Sequence, residues 1–239
     1  MKTTISHSLI AVALLGLLAA PAVGDVILEG NAYIDGSSGN LKYLSDGTVI
    51  TTAGSGSGSQ SDPFVFDLGG QNLDLNGWYI RGAVNNDTPQ ESTTFTNLNN
   101  LLNSSDNPGG VTSGSNGSLY FYGDAGTNTH PAGHIRVEAA GSISVNKVLT
   151  ESGYGEDDAG DIYLEAMGGP LTVDGYLSAR HEGSPGSDVY GGTITLISDG
   201  TGAGVEVNGT SSRGYSIETT NISYGIEQAG PVNITSAGD

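Results

Sequence analysis

The chain has 239 residues, 26 acidic and seven basic side chains, a formal charge of −19 and no cysteine. That balance excludes nucleic acid as a partner, because phosphates need Lys and Arg to neutralise them, and it disfavours anionic membrane surfaces for the same reason. It suits solubility or divalent cations; without cysteine, stability in an oxidising compartment has to come from packing and hydrogen bonds.

The first 24 residues read as an export signal. Lys2 gives a positive start, residues 9–20 are apolar, and Ala22, Val23 and Gly24 place small residues at the cleavage position. The apolar run is too short to span a bilayer, which takes about 20 residues. Cleavage before Asp25 is therefore expected, with no transmembrane segment remaining. It would leave 215 residues and, with Lys2 gone, six basic side chains against 26 acidic, a charge of −20.

Residues 25–61 read as capping strands and a joint. Val26-Ile27-Leu28 and Thr48-Val49-Ile50-Thr51 have strand character, and the Gly/Ser-rich residues 54–61 look flexible. Residues 62–116 read as an early coil with a polar insertion. Phe64-Val65-Phe66, Leu73-Asp74-Leu75 and Trp78-Tyr79-Ile80 form the coil, whereas Phe95, Leu98, Leu101 and Leu102 sit at helical spacing and predict a short helix over 93–103. Leu119-Tyr120-Phe121-Tyr122 then looks like a strand leading into a regular region.

From residue 117 to 239 one phrase recurs. It runs Ala132-Gly133-His134-Ile135-Arg136-Val137-Glu138-Ala139, Ala159-Gly160-Asp161-Ile162-Tyr163-Leu164-Glu165-Ala166, Gly191-Gly192-Thr193-Ile194-Thr195-Leu196-Ile197-Ser198 and Ala229-Gly230-Pro231-Val232-Asn233-Ile234-Thr235-Ser236. The second residues are 27, 32 and 38 positions apart. Alternate positions are aliphatic, which puts one set inside and the polar set in solvent. Each phrase is followed by a second alternating strand, such as Ile143-Ser144-Val145, and by a weaker third, such as Lys147-Val148-Leu149. A repeat of this length and period predicts an all-β fold, a right-handed parallel β-helix whose strands pair with their counterparts one repeat on. The unequal intervals place insertions at one corner. The last phrase is not followed by a complete repeat, so a C-terminal continuation or a capping partner is expected.

Ala159–Ala166 and Val173-Asp174-Gly175-Tyr176-Leu177-Ser178-Ala179 resemble the repeats of bacterial surface β-helix proteins, the filamentous-haemagglutinin-like and autotransporter adhesins. The resemblance covers residues 117–239. It implies a pectin-lyase-like right-handed β-helix, export to the cell surface, the outer membrane or the medium, and an adhesive or passenger role. Carbohydrate-active β-helix enzymes share that architecture, so fold alone does not choose between them.

Stacked in register, His134 lies over Asp161 and Thr193, Arg136 over Tyr163 and Thr195, and Glu138 over Glu165. His134, Arg136, Tyr163, Thr193 and Thr195 are the expected binding face for a glycan or a surface protein. His134, Glu138, Asp161 and Glu165 are candidates for acid/base catalysis in a polysaccharide lyase or hydrolase; exposed ion pairing is the alternative use of the same charges. Glu156, Asp157, Asp158 and Asp161 are candidate calcium ligands at one corner, although no calcium-loop signature accompanies them. The expected function is non-catalytic binding along a polar face, with no cofactor beyond calcium; the alternatives are the enzyme and a calcium-stabilised stalk.

Overall fold

The computed structural model describes residues 24–85, 88–104, 117–122, 132–152, 158–181, 190–219 and 229–237. These residues are all-β, with no helix among them and hence none able to cross a membrane. Three sheets, mostly parallel, are assembled by taking strands in rotation.

The first sheet holds β1 (Val26–Ile27), β6 (Leu73–Asp74), β9 (Leu101–Leu102), β12 (Ile143–Val145), β15 (Leu171–Val173) and β18 (Val205–Val207), in that order. The second runs β4 (Val49–Thr52), β3 (Asn40–Tyr43), β2 (Ala32–Asp35), β7 (Ile80–Arg81), β10 (Ser118–Tyr120), β13 (Lys147–Leu149), β16 (Leu177–Ser178) and β19 (Ile217–Glu218). The third runs β5 (Phe64–Asp67), β8 (Thr93–Leu98), β11 (Ile135–Ala139), β14 (Ile162–Ala166), β17 (Ile194–Ser198) and β20 (Val232–Ser236). Every repeat from β5 to β19 thus places one strand in each sheet, and each strand pairs in parallel with its equivalent in the next repeat.

The recurring phrase forms the third sheet. Ile135, Ile162, Ile194 and Val232 are in register, as are Val137, Leu164, Leu196 and Ile234. The first three of each column are buried in one continuous core that extends to Phe66, Phe95, Leu73 and Leu101. Full burial of such a side chain contributes about 1.5–3 kcal/mol. Ala139, Ala166 and Ser198 end the inward row with small side chains; the Ser198 hydroxyl donates to the Gly169 carbonyl at 3.1 Å. On β20 the equivalent residues Val232 and Ile234 are 44% and 53% exposed.

The glycine of each phrase is required by close backbone contact. A Cβ on Gly160, Gly192 or Gly230 would lie 2.2, 2.0 or 2.1 Å from the carbonyl oxygen of the glycine one repeat earlier. The same glycines donate their N–H to Thr150, Ala179 and Thr219 at 3.0, 2.9 and 3.2 Å. Each bond closes the corner where the chain passes from the second sheet back to the third. Residues 153–157, 182–189 and 220–228, which carry the uneven spacing of the phrase, fall between those paired ends and lie outside the described residues.

Two sequence expectations are corrected. The segment expected to be helical is β8 followed by β9, one more repeat of the same kind. Asn97 adopts a positive φ of 52° and the pairing of β8 with β11 shifts register there. This bulge resets the alternation, so Phe95 and Leu98 both face inward and mimic helical spacing. The Gly/Ser segment 54–61 is no loose joint: Gly54 donates to Val65, and Val65 donates to Ser55, at 2.8 and 2.9 Å along the outer edge of β5. Its Gly56 and Gly58 take φ of 95° and 82°, turn geometry open to glycine, and a Cβ on Gly56 would strike the Pro63 carbonyl at 1.9 Å. The antiparallel hairpin β3–β4 extends the second sheet beyond β2 at the same end.

Candidate functional site

The residue preceding each third-sheet strand from β8 onward falls in one column, the buried Ser92 followed by His134, Asp161, Thr193 and Pro231, read from the register of the strands they introduce. Three of these side chains accept the backbone N–H of the next member. Ser92 Oγ takes the N–H of His134 at 3.0 Å, His134 Nδ1 that of Asp161 at 2.8 Å, and Asp161 Oδ1 that of Thr193 at 2.6 Å. The run stops at Pro231, which has no N–H to give. Accepting at Nδ1 assigns the proton of the neutral imidazole to Nε2. Asp161 Oδ2 lies 3.3 Å from the same nitrogen, an ion pair only when the ring is protonated. Burial raises the Asp161 carboxyl, whereas the His134 ring, once protonated, and the Thr193 N–H lower it, and together they hold the group below its ordinary value.

The next outward column is Thr94, Arg136, Tyr163 and Thr195. The Arg136 guanidinium lies over the Tyr163 ring, 3.7 Å from its centroid, a contact worth about 0.5–1 kcal/mol at an exposed site. Arg136 Nε also donates to Glu138 Oε1 at 2.6 Å, and Thr96 Oγ1 donates to Glu138 Oε2 at 2.9 Å. Glu165 accepts the Tyr163 hydroxyl at 2.8 Å. Burial, then the Glu165 carboxylate, raises the Tyr163 hydroxyl above its ordinary value.

Together these columns floor a groove of about 340 Å³, crossing β8, β11, β14 and β17. Gln60 and Pro63 contribute to its lining, and Gln60 Nε2 reaches across to the Ala132 carbonyl at 3.3 Å. All five residues of the expected binding face, His134, Arg136, Tyr163, Thr193 and Thr195, line this groove. Of the acid/base candidates, Asp161 lines it, while Glu138 and Glu165 stand at its margin, each holding a neighbouring side chain. Sequence reasoning missed Gln60, Pro63 and Thr94. Thr94 was legible only by reading 93–98 as a strand, which places it in the Arg136 column.

The acidic corner is partly described. Asp158 Oδ1 accepts the Tyr190 N–H at 2.7 Å, and Asp161 Oδ1 is committed to Thr193. Glu156 and Asp157 lie outside the described residues. No group of three or more His, Cys, Asp or Glu side chains able to hold a metal ion occurs among the described residues.

A second outward face lies on the second sheet. The Tyr120 and Tyr122 rings are 5.7 Å apart, and Lys147 stands 5.1 Å from the Tyr176 ring. Arg180 pairs with Glu151 at 3.0 Å in a largely buried bridge. Ser152 and His181, both buried, share a 2.5 Å hydrogen bond through the ring Nδ1.

Comparison of the chain with protein-family models, with curated proteins and with solved structures found no match.

Proposed function

We propose that the chain is an exported right-handed parallel β-helix that binds a glycan in the groove along its third sheet, as a surface or secreted adhesin-like protein without chemistry of its own. Support for the β-helix comes from the rotation of strands among three sheets, the in-register parallel pairing, and the usual right-handedness of parallel crossovers. Export rests on the leader-like residues 1–24.

One observation carries the binding reading over the catalytic one. Each acid at the groove is engaged in holding the wall: Asp161 takes the Thr193 N–H, Glu138 holds Arg136 and Thr96, and Glu165 holds Tyr163. A general acid needs a proton to give at working pH, and the Thr193 N–H that Asp161 accepts favours its ionised form. A stack of strands about 4.8 Å apart instead offers repeated weak polar contacts that act together on an extended ligand.

The test is a glycan-binding screen of the chain beginning at Asp25, with product analysis on every polysaccharide that binds. Retention of at least one glycan, lost in Tyr163→Ala, with no new reducing or unsaturated ends, is the expected result. Cleavage products that disappear in Asp161→Asn would replace this reading with the enzyme.

A further inference from the structure

We propose that the groove selects an uncharged oligosaccharide and rejects uronates and sulfated sugars, an inference that rests on the glycan reading above. Among the residues named at the groove, Asp161, Glu138 and Glu165 are acidic and Arg136 alone is permanently cationic. His134 uses Nδ1 as an acceptor for the Asp161 N–H, the arrangement of a neutral ring. The one cation is already committed: its Nε is on Glu138 at 2.6 Å and its plane lies on Tyr163 at 3.7 Å. An anionic sugar therefore meets a floor on which the charges of Arg136 and Asp161 cancel, with the Glu138 and Glu165 carboxylates at its margin, on a chain whose total charge is strongly negative. At about 6 Å through water, each carboxylate it faces weakens binding by up to about threefold, less at physiological salt.

Hydroxyl groups fit the same floor. Thr94, Thr193 and Thr195 offer hydroxyls that donate or accept, Arg136 offers the remaining guanidinium donors, and the carboxylates accept. Four strands at about 4.8 Å give a floor about 14 Å long. A short neutral oligosaccharide laid along the stacking direction would meet equivalent positions repeat after repeat.

Affinity electrophoresis in gels containing soluble xylan, mannan, mixed-linkage glucan, polygalacturonate or alginate, run with EDTA, tests this directly. The expected result is retardation by at least one neutral polymer and by neither uronate. Thr195→Val should weaken the retardation while leaving the circular dichroism spectrum unchanged, and Glu138→Gln with Glu165→Gln should bring uronate binding up by as much as about tenfold. Uronates binding as tightly as any neutral polymer would overturn the selectivity and leave glycan binding standing. Uronate binding that appears only when calcium is restored would overturn it too, in favour of a cation bridge. Failure of all five polymers, and of the wider screen, would overturn both inferences.

Discussion

Replacing Gly192 by alanine probes the contact on which the stack depends. The new Cβ would stand 2.0 Å from the Gly160 carbonyl oxygen, and the nearest ordinary contact is 3.4 Å, so the two backbones must part by about 1.4 Å. Neither neighbour is a side-chain tip that can swing away. Three hydrogen bonds converge there: Gly192 N–H to Ala179 at 2.9 Å, Thr193 N–H to Asp161 at 2.6 Å, and Ile162 N–H to Thr193 at 2.8 Å. Overpacking costs about 1–3 kcal/mol, and weakening one or two of these bonds adds about 1 kcal/mol each, a total of about 2–5 kcal/mol. For a chain of this size that lowers the melting temperature by at least roughly 4 °C. Gly204→Ala is the control, since nothing lies within 4 Å of its Cβ position and its φ is not in the left-handed region; it should be neutral or stabilise by up to about 1 kcal/mol. Thermal and urea melts followed by circular dichroism read both. Equal melting of Gly192→Ala and the parent, or equal damage from Gly204→Ala, would refute the backbone-contact reasoning.

Asp161→Ala should destabilise by about 1 kcal/mol or more through loss of the acceptor for Thr193, while Asp161→Asn, which keeps an oxygen in place, should cost less; equal losses in urea melts would show that the acceptor is irrelevant. Because the folded-state carboxyls of Asp35, Asp67 and Asp161 lie below their ordinary values, their contribution is present above the unfolded pKa of about 4 and is lost as pH falls through the lowered folded values. Melting temperature should therefore drop below about pH 4, and that drop should shrink in Asp161→Asn. Glu91 has the opposite sign: burial, then Asp35, raises its carboxyl, so stability is lost as pH rises from the unfolded value of about 4 to the raised folded value, and the cost is complete above that. Glu91→Gln should raise the melting temperature at pH 7 and lose that advantage at pH 4, and a uniform effect at both would contradict the assignment. Excess EDTA should leave the melting temperature unchanged, and a fall reversed by calcium would give the corner at Asp158 and Asp161 a structural metal.

The strands were legible because burial on one side writes a period of two into the sequence, and the closing glycines because backbone contact tolerates no Cβ. Those two signals locate β11, β14, β17 and β20 and align His134 with Asp161, and Arg136 with Tyr163, from the sequence alone. The same logic failed over 93–98, where a single bulge at Asn97 moved Leu98 onto the inward face and imitated a helix. It failed again over 54–61, because glycine marks both loose chain and tight turns, and only the hydrogen bonds to Val65 distinguish them. Gln60 and Pro63 could not have been assigned to the groove, since the contact of Gln60 with Ala132 spans 72 residues of sequence. The role of His134 was also hidden: its charge suggested chemistry, whereas its position before the strand makes it the acceptor for a backbone N–H.

The in-register parallel stack can be measured directly, because the chain has no cysteine and spin labels can be placed singly in pairs. Val65, Thr94, Thr195 and Asn233 share one outward column. At about 4.8 Å per strand, backbone separations from Asn233 should be about 5 Å to Thr195, 19 Å to Thr94 and 24 Å to Val65. Dipolar spectroscopy on the Thr94–Asn233 and Val65–Asn233 pairs should give distributions displaced by one strand spacing, Val65 the longer. A Val65 distance equal to or shorter than the Thr94 distance would mean that the repeats do not stack in this order, and the groove built on them would not exist.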